Sequence, residues 1–167
     1  MTVENNDVSM RSDLNADSGN ALKIVKCLLS QQKVGVLATV NAEGRPHTSI
    51  VGFAASEDLK NLYFGTPRAT LKFRNLLVNA NVSLLIDNRQ NLSTDFGEAA
   101  ALTCSGCASC SGEEPDQNGL RLLLEKHPEL AGFFHSPTCR IVRIAISRYN
   151  LVLKFQEVTE ICMNSTE

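Results

Sequence analysis

Apolar and polar positions alternate along this chain with two different periods, and the changes of period divide it into elements. Residues 18–32, "SGNALKIVKCLLSQQ", set Leu22, Val25, Leu28 and Leu29 at helical spacing behind a Ser/Asn cap, which predicts an amphipathic helix. "KVGVLATVNAEGRPHTSIVGFAAS" then switches to two β-branched runs around "NAEG", whose Asn and Gly, with the Pro that follows, mark a turn. A hairpin with strands at about 33–40 and 46–54 follows. "DLKNLYFG" reads as a third strand, and Thr66 with Pro67 supplies a cap and first-turn proline for a helix over about 67–79.

"NVSLLIDNRQN" reads as a fourth strand and "GEAAALTCSGCASCSG" as a fifth. "PDQNGLRLLLEKHPEL" is helical up to Pro128, because proline disfavours helical geometry in the residue before it. "CRIVRIAISRYNLVLKFQEV" predicts two final strands turning near Tyr149 and Asn150. The first 17 residues are polar and aperiodic, so they are expected to be a mobile tail ahead of a single domain over 18–167. Six or seven strands in hairpin order with few helices exclude repeated βαβ units. They predict a mainly β, mostly antiparallel sheet or small barrel.

Composition narrows the function classes. The chain has 167 residues, 43% apolar and 20% charged, and 16 basic against 18 acidic residues give a net charge of −2. That charge provides no basic field for nucleic acid or an anionic membrane. Apolar runs fall short of the ~20 residues that span a bilayer, and the N-terminus lacks the order of a signal peptide, so a soluble cytoplasmic protein is expected.

"TPRATLKFRN", residues 66–75, concentrates three cations and two threonines. At about 100° per residue, Ala69, Phe73, Leu76 and Leu77 share one arc and Arg68, Lys72 and Asn75 the arc beside it. A cation in the first turn opposes the helix dipole unless an anion is present. Two readings stand: a solvated face whose Arg and Lys snorkel over apolar surface, or an anion site built from helix N–H groups, Thr66, Thr70, Arg68 and Lys72.

The order "VGVLATVNAEGRPHTSIVGF", "T-x-x-x-T-x-K-x-x-N", "N-x-x-V-S-L-L", then "ALTCSGCA" after "TDFGEA", resembles the pyridoxamine 5′-phosphate oxidase-like family of FMN-binding split β-barrels over roughly residues 20–158. The resemblance implies a split barrel of six strands, a homodimer, and FMN in a groove between subunits, making 18–167 an FMN-binding domain. It places Arg45, His47, Thr48, Ser49 and Ile50 along the flavin, partly through backbone groups, and Thr66, Arg68, Thr70 and Lys72 on the phosphate. It brings Asn88 and Arg89, in "DNRQN", to the cofactor from a strand end. The vitamin-oxidising members resemble one another in a C-terminal Arg, Leu and Pro tail, whereas this chain ends "EICMNSTE" and has no Trp. The resemblance therefore implies an FMN-dependent oxidoreductase or flavin reductase-like activity on a small molecule rather than that named oxidation. The alternative is a non-catalytic flavin or haem carrier or sensor.

"CSGCASC" carries two C-x-x-C spacings, but in a strand Cys104 and Cys107 lie ~10 Å apart on opposite faces, beyond the ~7 Å reach of a disulfide. They and Cys110 are expected to be small buried hydrophobes with no metal bound. His47, His127 and His135 form no ligand pattern.

Overall fold

The computed structural model describes residues 7–112 and 116–163, with side chains from residue 19 onward. Helix α1 (Asp7–Gln31) begins ahead of Ser18, within the segment expected to be a mobile tail, and residues 1–6 lie outside the described residues. Its buried stripe is Ala21, Val25, Leu28 and Leu29, while Leu22 stays exposed.

The hairpin forms as expected from β1 (Val34–Val40) and β2 (Pro46–Ala55). Asn41 closes it: its side-chain oxygen accepts from the Glu43 and Arg45 amides, and Gly44 takes the positive φ of 76° that the turn requires. The chain continues through β3 (Asn61–Pro67), α2 (Leu71–Val78), β4 (Asn81–Asp87), α3 (Asp95–Glu98) and β5 (Ala100–Cys110). Then come α4 (Gln117–Lys126), a 3₁₀ turn at Pro128–Leu130, α5 (Ala131–Phe134), β6 (Cys139–Leu153) and β7 (Glu157–Cys162).

The strands run in the order β3-β2-β1-β4-β5-β6-β7, all antiparallel, and β3 also pairs with β6. That pairing closes β1 to β6 into a barrel with β7 as an extra strand, which is the mainly β architecture expected. Leu37, Phe53, Phe64, Leu84, Leu102, Ile144 and Leu151 fill it completely shielded from solvent. Each such side chain contributes about 1.5–3 kcal/mol. Tyr149 reaches the same core and donates to the Leu59 carbonyl at 2.6 Å. A second cluster of Ala54, Tyr63, Leu123, Phe134, Cys139 and Ile141 packs α4 and α5 on the outside. No described helix is long and apolar enough to cross a membrane.

Three local expectations are corrected. Thr66 and Pro67 do not open α2: they end β3, paired to Arg140 and Cys139 of β6, and Thr70 is the N-cap, accepting from Phe73 N at 3.3 Å. The helix is rotated accordingly, with Asn75 buried and Ala69 and Leu77 exposed. The chain does not turn at Tyr149 and Asn150 either. β6 runs through them, and the turn comes at Lys154 and Phe155, both at positive φ. Cys104 is buried, but Cys107 and Cys110 are exposed, against the expectation of three buried thiols.

The β5–β6 register shifts between Ser105 and Gly106, leaving Ser147 as an extra residue in β6, and Ser147 Oγ donates to the Ser105 carbonyl at 3.1 Å. Only glycine fits at 106, since a Cβ there would lie 2.2 Å from the Ala145 oxygen.

Candidate functional site

The site begins with a ladder that stops early. β2 pairs with β1 from Pro46 to Gly52 but with β3 only from Phe53 to Ala55. Phe53 N donates to Lys33 O, so odd-numbered residues of β2 face β1 and the backbone groups of Thr48 and Ile50 turn the other way. Those groups have no ladder partner among the described residues. Beside them Ser49 Oγ is buried without a hydrogen-bond partner, an uncommon state that carries a desolvation cost unless a ligand relieves it. The Ile50 side chain is 72% exposed.

At the far end of this open edge the chain leaves β3 and enters α2. The Arg68 amide donates to Thr138 O at 3.0 Å, which fixes the turn. Thr70 Oγ1 donates to Pro67 O and accepts from Phe73 N, and it lies 2.9 Å from Thr66 Oγ1. Both threonine hydroxyls are thus engaged in shaping the turn. The free groups are the Leu71 and Lys72 amides at the helix start and the side chains of Arg68 and Lys72, which make no hydrogen bond or ion pair among the described residues. Lys72 is partly buried and the first turn holds no acidic residue. Two cations without an ion-pair partner among the described residues and free helix amides are groups of the type an oxyanion such as a phosphate monoester requires.

α2 is tied to the hairpin by a chain of hydrogen bonds. Asn75 Nδ2 donates to Thr39 Oγ1 at 3.0 Å, and Thr39 donates to the His47 carbonyl at 3.4 Å. The His47 ring is partly buried and Thr48 exposed, while Arg45 stands exposed at the hairpin turn with its side chain unpartnered among the described residues. Asn75, which the sequence sets on the arc of Arg68 and Lys72, serves a structural role that its residue type did not reveal; its signal is an amide inside the run "FRNLLV".

Asn88 and Arg89 lie elsewhere. β4 runs antiparallel to β1, Leu85 opposite Val36, so the end of β4 meets the start of β1, whereas Pro46 lies opposite Val40 at its end. The separation along β1 is about 20 Å from Pro46 and about 10 Å from Ile50 at 3.3 Å per residue, and β1 itself stands between β2 and β4. Asn88 is committed to β5, exchanging bonds with Ala100 through its backbone amide and its side-chain oxygen. Arg89 Nε pairs with Asp87 Oδ1 at 3.2 Å. A single copy of the chain therefore brings together the β2 edge and the α2 start but not Asn88 and Arg89.

Of the thiols, Cys110 lies near Arg68. Burial pushes the Cys110 thiol up, and the nearby Arg68 guanidinium pulls it back. Among the described residues no three His, Cys, Asp or Glu side chains gather as a metal site.

The sequence profile of the pyridoxamine 5′-phosphate oxidase family matches residues 22–162. No curated protein is similar enough in sequence to count as a match. Among solved structures, the chain is similar to a haem-binding protein from Mycobacterium smegmatis, with 18% identity and a TM-score of 0.71 over 81% of this chain and 55% of that one. It is similar to the haem storage protein HutZ from Vibrio cholerae, with 21% identity and a TM-score of 0.66 over 78% and 92%. It is also similar to General Stress Protein 26 from Bacillus anthracis, with 20% identity and a TM-score of 0.61 over 83% and 95%. At these identities the likeness is one of fold.

Proposed function

The chain belongs to the pyridoxamine 5′-phosphate oxidase family, and on that premise we propose that it is an FMN-binding flavoprotein, a homodimer with oxidoreductase or flavin reductase-like activity on a small molecule. The observation that carries this reading is the partly buried Lys72, unpaired beside Arg68 and the free amides of α2, at the end of the unpaired edge of β2. The residues present fit the cofactor. Lys72, Arg68 and the helix amides would neutralise and hold the phosphate, with Thr66 and Thr70 setting the shape of the turn. The open backbone of Thr48 and Ile50 offers donors and acceptors to a ring with amide groups, and Ser49 Oγ lacks the partner such a ligand would supply. When bound, FMN supplies the hydride-accepting ring, and the protein supplies position and electrostatics.

The homodimer is part of the same proposal. In that dimer Asn88 and Arg89, which lie across β1 from β2 and are bonded to Ala100 and Asp87 within their own copy, would contribute to this groove from the second copy. Reconstitution with FMN, followed by light scattering, tests both parts. The expected result is a yellow, dimer-sized species whose released chromophore co-migrates with FMN. Failure to take up FMN removes the flavin reading, and a monomer that still holds FMN removes the shared groove.

A second reading, a non-catalytic flavin or haem carrier, is favoured by the shared fold with the M. smegmatis and V. cholerae haem proteins. A Soret band in place of flavin bands identifies the haem form. Flavin that is reduced by NAD(P)H without turnover in oxygen identifies a flavin carrier.

A further inference from the structure

A cavity of about 330 Å³ lies between the C-terminal ends of α1 and α4 and the last residues of β2. Leu29, Ala54, Ala55, Leu59 and Leu122 give it an apolar wall, and Lys126 belongs to the same lining. Its volume is at the lower end of the range of small-molecule sites, ~300–1,000 Å³. The cavity is at the opposite end of β2 from the open Pro46–Gly52 edge and shares no residue with the flavin reading.

Lys126 is held there by a backbone carbonyl and a ring, not by a carboxylate. Its Nζ donates to the Leu29 carbonyl at 2.6 Å and stands 3.9 Å from the centre of the Phe53 ring. The charged groups around it leave it without a counter-ion: Glu125 is paired with Arg121 at 2.6 Å, Glu129 with Lys33, Glu57 and Lys26 are exposed, and Lys33 repels it. Burial and Lys33 bring the amine from 10.5 down to about 8. Near neutral pH a sizeable share of it is therefore unprotonated, against about one part in a thousand of an exposed lysine.

The same contacts aim the lone pair. In the neutral amine one N–H stays on the Leu29 carbonyl and the other faces the electron-rich face of Phe53. The position left for the lone pair is turned away from both, on the side of the cavity.

We infer that Lys126 is a covalent capture site for small apolar aldehydes. The lone pair of Nζ attacks the carbonyl carbon, the C=O π pair moves to oxygen, and a proton passes from nitrogen to that oxygen. Loss of water from the carbinolamine leaves an imine on Lys126, with the alkyl chain against Leu59 and Leu122. No electrons are exchanged with a third party, and hydrolysis returns the aldehyde and the amine.

The test treats the full chain at neutral pH with hexanal and cyanoborohydride, which reduces the imine to a stable secondary amine, and reads labelling rates by peptide mass spectrometry. Lys126 should be labelled at least roughly tenfold faster than the exposed Lys23 and Lys154 of the same molecule. With formaldehyde, which has no chain to bury, that preference should be several-fold smaller. Ala55→Leu, which fills part of the cavity, should slow hexanal at Lys126 and spare formaldehyde. Should that variant fail to melt cooperatively, the comparison of the two aldehydes on the wild type decides alone. Labelling of Lys126 no faster than that of the surface lysines overturns the site, and an equal preference with both aldehydes overturns the part played by the cavity.

Discussion

Asn75 donates its side-chain amide to Thr39 across 3.0 Å in a position shielded from solvent, and Thr39 passes the connection to the His47 carbonyl. One side chain therefore locks α2, with Lys72 and Arg68 at its start, to the strand whose backbone is left open. Asn75→Ala removes the donor that the buried Thr39 oxygen accepts from, and a lost buried partner costs about 1–3 kcal/mol. Denaturant unfolding should show that loss, with FMN affinity falling alongside it. An unchanged unfolding midpoint would show that the bond does not hold the helix.

Lys72→Ala and Arg68→Ala should weaken FMN far more than riboflavin, which has the same ring without phosphate. Charge-assisted bonds are worth about 1.5–3 kcal/mol each, so the expected selective loss is roughly ten- to a hundredfold. Added salt should reproduce part of it by screening. Equal losses for both ligands would indicate general damage to the groove, and no loss would make the two cations a solvated face.

Thr70→Ala separates shape from charge. Its hydroxyl caps α2 and braces the Pro67 carbonyl, so removal should destabilise the protein by about 1 kcal/mol, and Thr70→Ser should recover most of it. The FMN-to-riboflavin ratio should change less than in Lys72→Ala. A ratio that collapses without loss of stability would instead make Thr70 a direct phosphate ligand.

Lys126 gives the fold a pH signature. Its ammonium donates to the Leu29 carbonyl at 2.6 Å over the Phe53 ring, and burial, reinforced by Lys33, pulls its pKa down from 10.5 to about 8. Above about 8 the unfolded chain holds a proton that the native state has released, so the Lys126 contribution to stability rises with pH. Cys104 and Tyr149, both raised by burial, act in the opposite direction from about their unfolded values of 9.0 and 10.0. Between pH 8 and 9 the stability of the wild type should therefore climb relative to Lys126→Met, as read by urea unfolding. Parallel curves would mean that the cation–ring contact holds the proton in place.

Native labelling with a thiol reagent should modify Cys107 and Cys110 readily and leave Cys104 untouched until the protein unfolds. Rapid native labelling of Cys104 would show that β5 opens.

The hairpin was legible because alternation and the Asn–Gly turn are local signals; the number and order of such runs pointed to a mostly antiparallel sheet or small barrel, and closure at six strands came only with the family resemblance. The start of α2 was not, since Thr66 and Thr70 are equally good caps by residue type. What decides between them is the pairing of Pro67 with Cys139, a contact spanning half the chain. The turn assigned to Tyr149 and Asn150 failed for a related reason: Tyr149 is placed by a core that also holds Leu59. At the site, the cations were legible as residue types. The open edge of β2 was not, because it depends on where β3 stops pairing, and Asn88 and Arg89 could not be separated from the others before strand directions were known.

The extra residue at Ser147 works as a phase change. Before it, Val142, Ile144 and Ile146 are the buried positions of β6; after it, Tyr149 and Leu151 are. Even positions face the core on one side of the bulge and odd positions on the other, so a single strand pairs first with β3 and then with β7 without breaking. Forcing Ser147 into the ladder as an ordinary paired residue would undo the shift and send Arg148 and Asn150 inward in place of Tyr149 and Leu151, a reversal of faces that no rotamer change repairs. The reading frame of the fold, in this sense, is kept by one exposed serine and the glycine opposite it.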